Sequence, residues 1–143
     1  MRIIIDTNIV FSALLNTNSK IARILFQPKT GFNFYSTSIL LDEIEEHRQK
    51  IQTYSKLTNE ELQRVTTLVT NKIRFINYNL IPLETYSFAE KLTHDIDIND
   101  TEFIALTEHI KGRFWTGDKK LIKGLAKKNW NKFVSTEELY NKL

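Results

Sequence analysis

Three consecutive β-branched residues, Ile3-Ile4-Ile5, run directly into a carboxylate, Asp6. Such a run has no polar side to offer water. It reads as a strand covered on both faces, the kind found in parallel sheets. Parallel strands need long return connections, usually helices, and the rest of the chain alternates in that way.

After Asp6-Thr7-Asn8, the residues Ile9 to Leu15 read as a helix, and Ile21 to Leu25 resume helical spacing after a polar break. Pro28-Lys29-Thr30-Gly31 is turn chemistry, and Phe32-Asn33-Phe34-Tyr35 is a second strand. Ser36, Thr37 and Ser38 are candidate caps for a helix through Ile39, Leu40, Glu43, Ile44 and His47. Thr58-Asn59-Glu60-Glu61 fits a capping box opening a helix to about Lys72, and Ile73 to Ile76 is a third strand. Glu84 to Leu92 reads as a helix, and Thr93 to Asn99 as a loop. Asn99 is expected to cap a helix carrying Phe103, Ile104, Leu106 and Ile110, which Gly112 stops. Arg113 to Thr116 is a strand, Lys119 to Lys127 a helix, Phe133-Val134 a last strand, and Ser135 to Glu138 caps a terminal helix. The expected architecture is a three-layer α/β/α sandwich around a mostly parallel sheet, a single domain over residues 1–143.

Several chemistries drop out. There is no cysteine, so thiol catalysis, disulfides and cysteine-based zinc sites are excluded. No glycine-rich phosphate loop occurs, and the three histidines lie far apart without an H-E-x-x-H pattern. No apolar run approaches the ~18 residues of a membrane span, and Asp6 falls where a signal peptide would be apolar. A cytoplasmic protein with no membrane association is expected.

The charge is segregated. Residues 84–108 carry seven carboxylates against one lysine, whereas residues 111–132 carry eight basic residues against one aspartate. An acidic cluster beside a basic surface suits a metal-dependent phosphodiesterase, in which carboxylates hold a cation and lysines hold a polyanion. Ligands of open parallel sheets sit beyond the C-terminal strand ends. Asp6 and Asp118 fall at such ends. Glu43 lies two turns into the helix after the second strand, and Asp100 opens its own helix. Each also has a plainer reading: Asp6, Asp100 and Asp118 as helix caps, Glu43 as a solvated helical residue. Capping does not require all four to share one rim. Carboxylates gathered there repel unless a positive charge sits among them, and a hard cation with oxygen ligands, Mg2+ or Mn2+, answers that need. Such a cation acidifies water for attack on phosphorus and shields the charge that develops there.

With these residues in place, the chain resembles the PIN domain family. The matching segments are Ile3-Ile4-Ile5-Asp6-Thr7-Asn8, Ser38 to Ile44, Asp97-Ile98-Asn99-Asp100-Thr101-Glu102-Phe103 and Thr116-Gly117-Asp118-Lys119-Lys120-Leu121, in that order. The resemblance implies a PIN-like sandwich and a Mg2+- or Mn2+-dependent endoribonuclease leaving 5′-phosphate and 3′-hydroxyl ends. It assigns the catalytic and metal-binding roles to Asp6, Glu43, Asp100 and Asp118. It also implies that Asn8 and Thr116 steady the site by side-chain hydrogen bonds. Small bacterial members are commonly VapC-like toxins of type II toxin–antitoxin pairs, which implies a small antitoxin partner and a homodimer.

Asp97 and Asp100 are three residues apart, and either could face the metal. Asp100 is favoured because it opens the helix, with Asp97 secondary. Glu43 is preferred to Asp42 and Glu46 because it flanks the stripe formed by Leu40, Leu41 and Ile44. Lys119, Lys120 and Lys123 follow Asp118 at helical spacing and are placed on the RNA backbone; the alternative is an exposed helix with snorkelling lysines. Trp115 is assigned to the core, and Trp130 to a more exposed position where it could stack on a base. The competing function is a catalytically inactive PIN-like module binding RNA or protein, disfavoured because all four acidic positions are filled. A phospho-acceptor domain of the response-regulator kind needs an acidic pair after its first strand, where Thr7-Asn8 stands instead. A flap nuclease would need long helical insertions to grip branched DNA.

Overall fold

The computed structural model describes residues 1–143. Its centre is a five-stranded parallel sheet of β1 (Arg2–Ile5), β2 (Asn33–Thr37), β3 (Ile73–Ile76), β4 (Arg113–Trp115) and β5 (Phe133–Val134), in spatial order β3-β2-β1-β4-β5. The helices are α1 (Thr7–Leu15), α2 (Lys20–Phe26), α3 (Ile39–Glu46), α4 (Arg48–Ser55), α5 (Asn59–Thr70), α6 (Leu83–Thr93), α7 (Thr101–Ile110), α8 (Lys119–Ala126) and α9 (Thr136–Tyr140). Short 3-10 turns span Tyr78–Leu80 and Ile98–Asp100. None of these helices is long and apolar enough to cross a membrane.

The isoleucine run explains the layers. Its members are fully buried, and strand alternation sends them to opposite faces. Ile3 and Ile5 join a core with residues of α1 to α5 and α9, while Ile4 joins a second core with α6, α7 and α8. Each such side chain contributes roughly 1.5–3 kcal/mol by burial. Phe114 continues the second core, stacked on Phe103 at 5.7 Å and 13°. The result is a three-layer α/β/α sandwich around a parallel sheet.

Topology fixes where a ligand would sit. From β1 the chain moves to β2 on one side, and from β4 it moves to β5 on the other. The crevice between β1 and β4 is therefore the switch point of the sheet. Ile5 pairs with Trp115, so Asp6 and Thr116 emerge side by side. The Asp6 backbone N–H donates to the Trp115 carbonyl at 3.3 Å.

Four sequence expectations are revised. β2 runs on through Ser36 and Thr37, which pair with Phe75 and Ile76 rather than capping α3. Ser36 is fully buried, and its hydroxyl donates to the Ile5 carbonyl at 3.0 Å. Helix α7 is capped at Asp100 rather than Asn99, and the preceding 3-10 turn is capped by Asp97. Lys111, not Gly112, adopts the left-handed conformation that ends α7, with φ 56°. Gly112 serves close approach: a Cβ there would lie 2.6 Å from Ile4 Cδ1 and 2.8 Å from the Arg2 carbonyl oxygen. Trp130 is buried, with Nε1 donating to Glu108 at 2.7 Å and its ring edge-on to Phe133, so it offers no surface to a base. Trp115 is fully buried, as its place in an apolar strand requires.

Candidate metal centre

Asp6 is the first residue past β1 and the N-cap of α1. Its Oδ1 accepts from the Asn8 backbone N–H at 3.4 Å, and its Oδ2 accepts from the buried Thr116 hydroxyl at 2.6 Å. Thr116 Oγ1 in turn accepts from the Asp118 backbone N–H at 3.2 Å. One hydroxyl thus joins the loops leaving β1 and β4. Asp118 is the N-cap of α8, its Oδ1 accepting from the Leu121 N–H at 3.1 Å. The capping readings of Asp6 and Asp118 hold, and they are compatible with a site. Each cap orients its carboxylate at the mouth of the crevice.

Asp100 comes from the layer of α6, α7 and α8. It ends the 3-10 turn before α7, makes no side-chain cap bond and is buried. Asp97 caps that turn, its Oδ1 accepting from the Asn99 N–H at 3.0 Å. Carboxylate oxygens of Asp97, Asp100 and Asp118 all lie within 4.8 Å of one another. The closest trio therefore includes Asp97 alongside Asp100. Glu43 comes from α3, held by the Thr7 hydroxyl donating to its Oε1 at 3.2 Å. Asp42 and Glu46 are exposed and lie outside the cavity.

These side chains share one small cavity of about 190 Å³, lined by Asp6, Glu43, Asp97, Asp100 and Asp118 with Asn8 and Asn99 at its edge. Every charged group in its lining is an acid. Burial, foremost, and then the charges of Asp6, Asp97, Asp118 and Glu43 push the Asp100 carboxyl up to about 7. Burial also raises Asp6, partly offset by the Thr116 hydrogen bond, with Asp118 adding to the rise. Glu43 is raised by burial and by Asp6, against the lowering effect of Thr7. Crowded carboxylates with no internal cation and only oxygen donors fit a hard divalent ion.

The other expected residues fall as follows. Asn8 meets Asp6 through its backbone, while its side chain is exposed at the cavity edge. Lys119, Lys120 and Lys123 are exposed on α8 immediately beyond Asp118. With Lys127 they line a shallow surface depression of about 480 Å³ that includes Asp95. Thr7 went unassigned by sequence reasoning. Its signal was position: a hydroxyl directly after Asp6, at the first turn of an inward-facing helix, is buried and available to a neighbouring carboxylate.

A family model described as PIN domain matches residues 4–139. No individual curated protein gives a significant match to the chain.

Proposed function

The chain belongs to the PIN domain family, and from that premise we propose that it is a Mg2+- or Mn2+-dependent endoribonuclease. PIN domains carry a nuclease fold, and the acidic cluster here brings together carboxylate oxygens of the kind a divalent ion takes. The observation that carries the reading is the meeting of five carboxylates around one small cavity at the sheet's switch point.

In this reading Asp100 and Asp118 would hold the cation with Asp6, and Asp97 would stand beside them as a further oxygen donor. Glu43, on the α3 side, helps hold a second ion or orients the attacking water. A cation held there would supply acidified water and would shield the charge developing on the phosphoryl oxygens. Thr116 fixes the direction of Asp6, and Thr7 fixes that of Glu43, so both carboxylates are aimed before substrate arrives. Lys119, Lys120 and Lys123 give the phosphate backbone a row of ammonium groups next to the cavity. In-line attack leaves 5′-phosphate and 3′-hydroxyl ends.

The reading extends to a single-domain cytoplasmic toxin of a toxin–antitoxin pair, homodimeric and restrained by a small antitoxin. It is supported by the family match and by the resemblance of the four acidic segments. Growth arrest on expression, relieved by the product of an adjoining gene, tests that extension.

The test of the activity itself is cleavage of single-stranded RNA with Mn2+. Cleavage is expected to stop with chelator and to fall at least about 100-fold in Asp6→Asn and Asp118→Asn, on the scale of losing one charge-stabilising group. Full metal-dependent cleavage by either variant refutes the assignment.

A further inference from the structure

Beside the acidic cavity lies a second cavity of about 460 Å³ between α1 and α4. Its walls repeat one spacing. Asn8, Phe11 and Leu15 come from α1, and His47, Lys50 and Tyr54 come from the N-cap and body of α4. Steps of three and four residues keep side chains on one helical face, so the cavity is a furrow bounded by two helices.

Two observations tie this furrow to the acidic cavity. Asn8 lines both. His47 Nδ1 lies 2.9 Å from the carbonyl oxygen of Glu43. A carbonyl only accepts, so the ring donates through Nδ1 and leaves Nε2 for another partner.

The wall chemistry selects the occupant. Tyr54 is 68% exposed although it lines the furrow. Phe11 and His47, also in its lining, form a tilted pair at 5.5 Å. Flat aromatic surface beside an amide, an imidazole and an ammonium suits an unpaired base and its phosphate. The base stacks, its edge takes hydrogen bonds, and the cation meets the backbone. An apolar protein side chain would fill the same space while leaving Asn8 and Lys50 unused. The volume lies within the ~300–1,000 Å³ usual for small-ligand sites.

Resting on the nuclease reading, we propose that the α1–α4 furrow binds the base of a nucleotide neighbouring the scissile phosphate and so decides where single-stranded RNA is cut. Tyr54 is the stacking platform, Asn8 and His47 read the base edge, and Lys50 meets the backbone phosphate.

The test compares wild type, Tyr54→Phe and Tyr54→Ala, with equal melting temperatures as the check that the exposed position leaves the fold intact. A short single-stranded RNA bearing one 2-aminopurine is titrated in Ca2+. Its fluorescence is expected to be quenched by wild type and Tyr54→Phe but not by Tyr54→Ala, whose Kd rises roughly five- to hundred-fold. Cleavage with Mn2+ of oligonucleotides differing at one base is expected to show a preference that Tyr54→Ala flattens. Hydrolysis of bis(p-nitrophenyl) phosphate, which needs the metal centre and not the furrow, is expected to be equal in all three. Wild-type quenching, affinity or base preference in Tyr54→Ala overturns the proposal. So does a wild-type protein that binds no RNA, in which case the furrow is left to a protein side chain. Failure of the nuclease reading appears separately, as RNA binding by wild type with no hydrolysis of either substrate.

Discussion

Thr116 shows how much of the site depends on one hydroxyl. It donates to Asp6 and accepts from the backbone of Asp118, so it sets the relation between carboxylates that leave different strands. Thr116→Val keeps the shape and removes both bonds. Asp6, buried and raised by desolvation, then loses its main compensating donor, and its carboxyl rises further. Loss of such an outer-sphere partner is expected to weaken Mn2+ binding roughly 10- to 100-fold, with Thr116→Ser close to wild type. Isothermal titration measures this directly, and an unchanged affinity in Thr116→Val removes the link between this hydroxyl and metal binding. Asp6, Thr116 and Asp118 were legible as residues because short motifs at strand ends expose them. The Thr7–Glu43 bond was not, because it joins residues 36 apart and depends on how α3 is set against α1.

At the scale of elements, the site depends on β1 and β4 lying in register, and Gly112 is where that register is most vulnerable. A side chain there meets the Arg2 carbonyl, a backbone atom that cannot swing aside. Gly112→Ala is therefore expected to push β4 from β1 and cost about 1–3 kcal/mol, the usual range for overpacking. Gly31→Ala, where nothing lies within 4 Å and φ is not positive, is expected to be neutral or slightly stabilising. Urea unfolding of the pair checks this; equal midpoints mean that close packing is not why glycine stands at 112. The same junction shows what sequence pattern conveys and what it hides. The strand–helix order was readable from apolar runs, turn residues and capping boxes such as that of Thr58 with Glu61. Helix α4 was not, because Ile51 is its only buried residue and its apolar signal is faint. Ser36 and Thr37 look like caps from composition alone. Only pairing with β3 makes them strand. Trp130 misled for a similar reason: its flanking asparagines suggest exposure, but α7 supplies Glu108 to its indole N–H.

For the molecule as a whole, the acidic cavity makes folding sensitive to pH. Asp6, Glu43 and Asp100 all hold their protons more tightly than free carboxyls do, with burial the leading cause in each. Such a group contributes stability that is fully present below its unfolded value, 3.8 for Asp100, and is lost as pH rises through the folded value, about 7. Metal-free protein is therefore expected to lose stability from about pH 4 to about pH 7 and to level off above. A divalent cation reverses the sign, because it binds the ionised carboxylates that repel one another in its absence. Melting temperatures in chelator should be higher at pH 5 than at pH 8, and Mn2+ should restore most of the difference at pH 8. Asp100→Asn removes the most strongly raised acid. In chelator at pH 8 it is expected to stabilise the fold by about 1–2 kcal/mol, allowing for screening at a site open on one side, or roughly 3–6 °C in a chain of this size. The variant should also show a flatter pH profile and a weaker response to Mn2+. A melting temperature in chelator that climbs from pH 5 to pH 8, or an Asp100→Asn protein with the wild-type profile, means that repulsion among these carboxylates does not govern stability. A gain in stability at pH 8 combined with loss of cleavage would instead mark Asp100 as a residue maintained at the fold's expense.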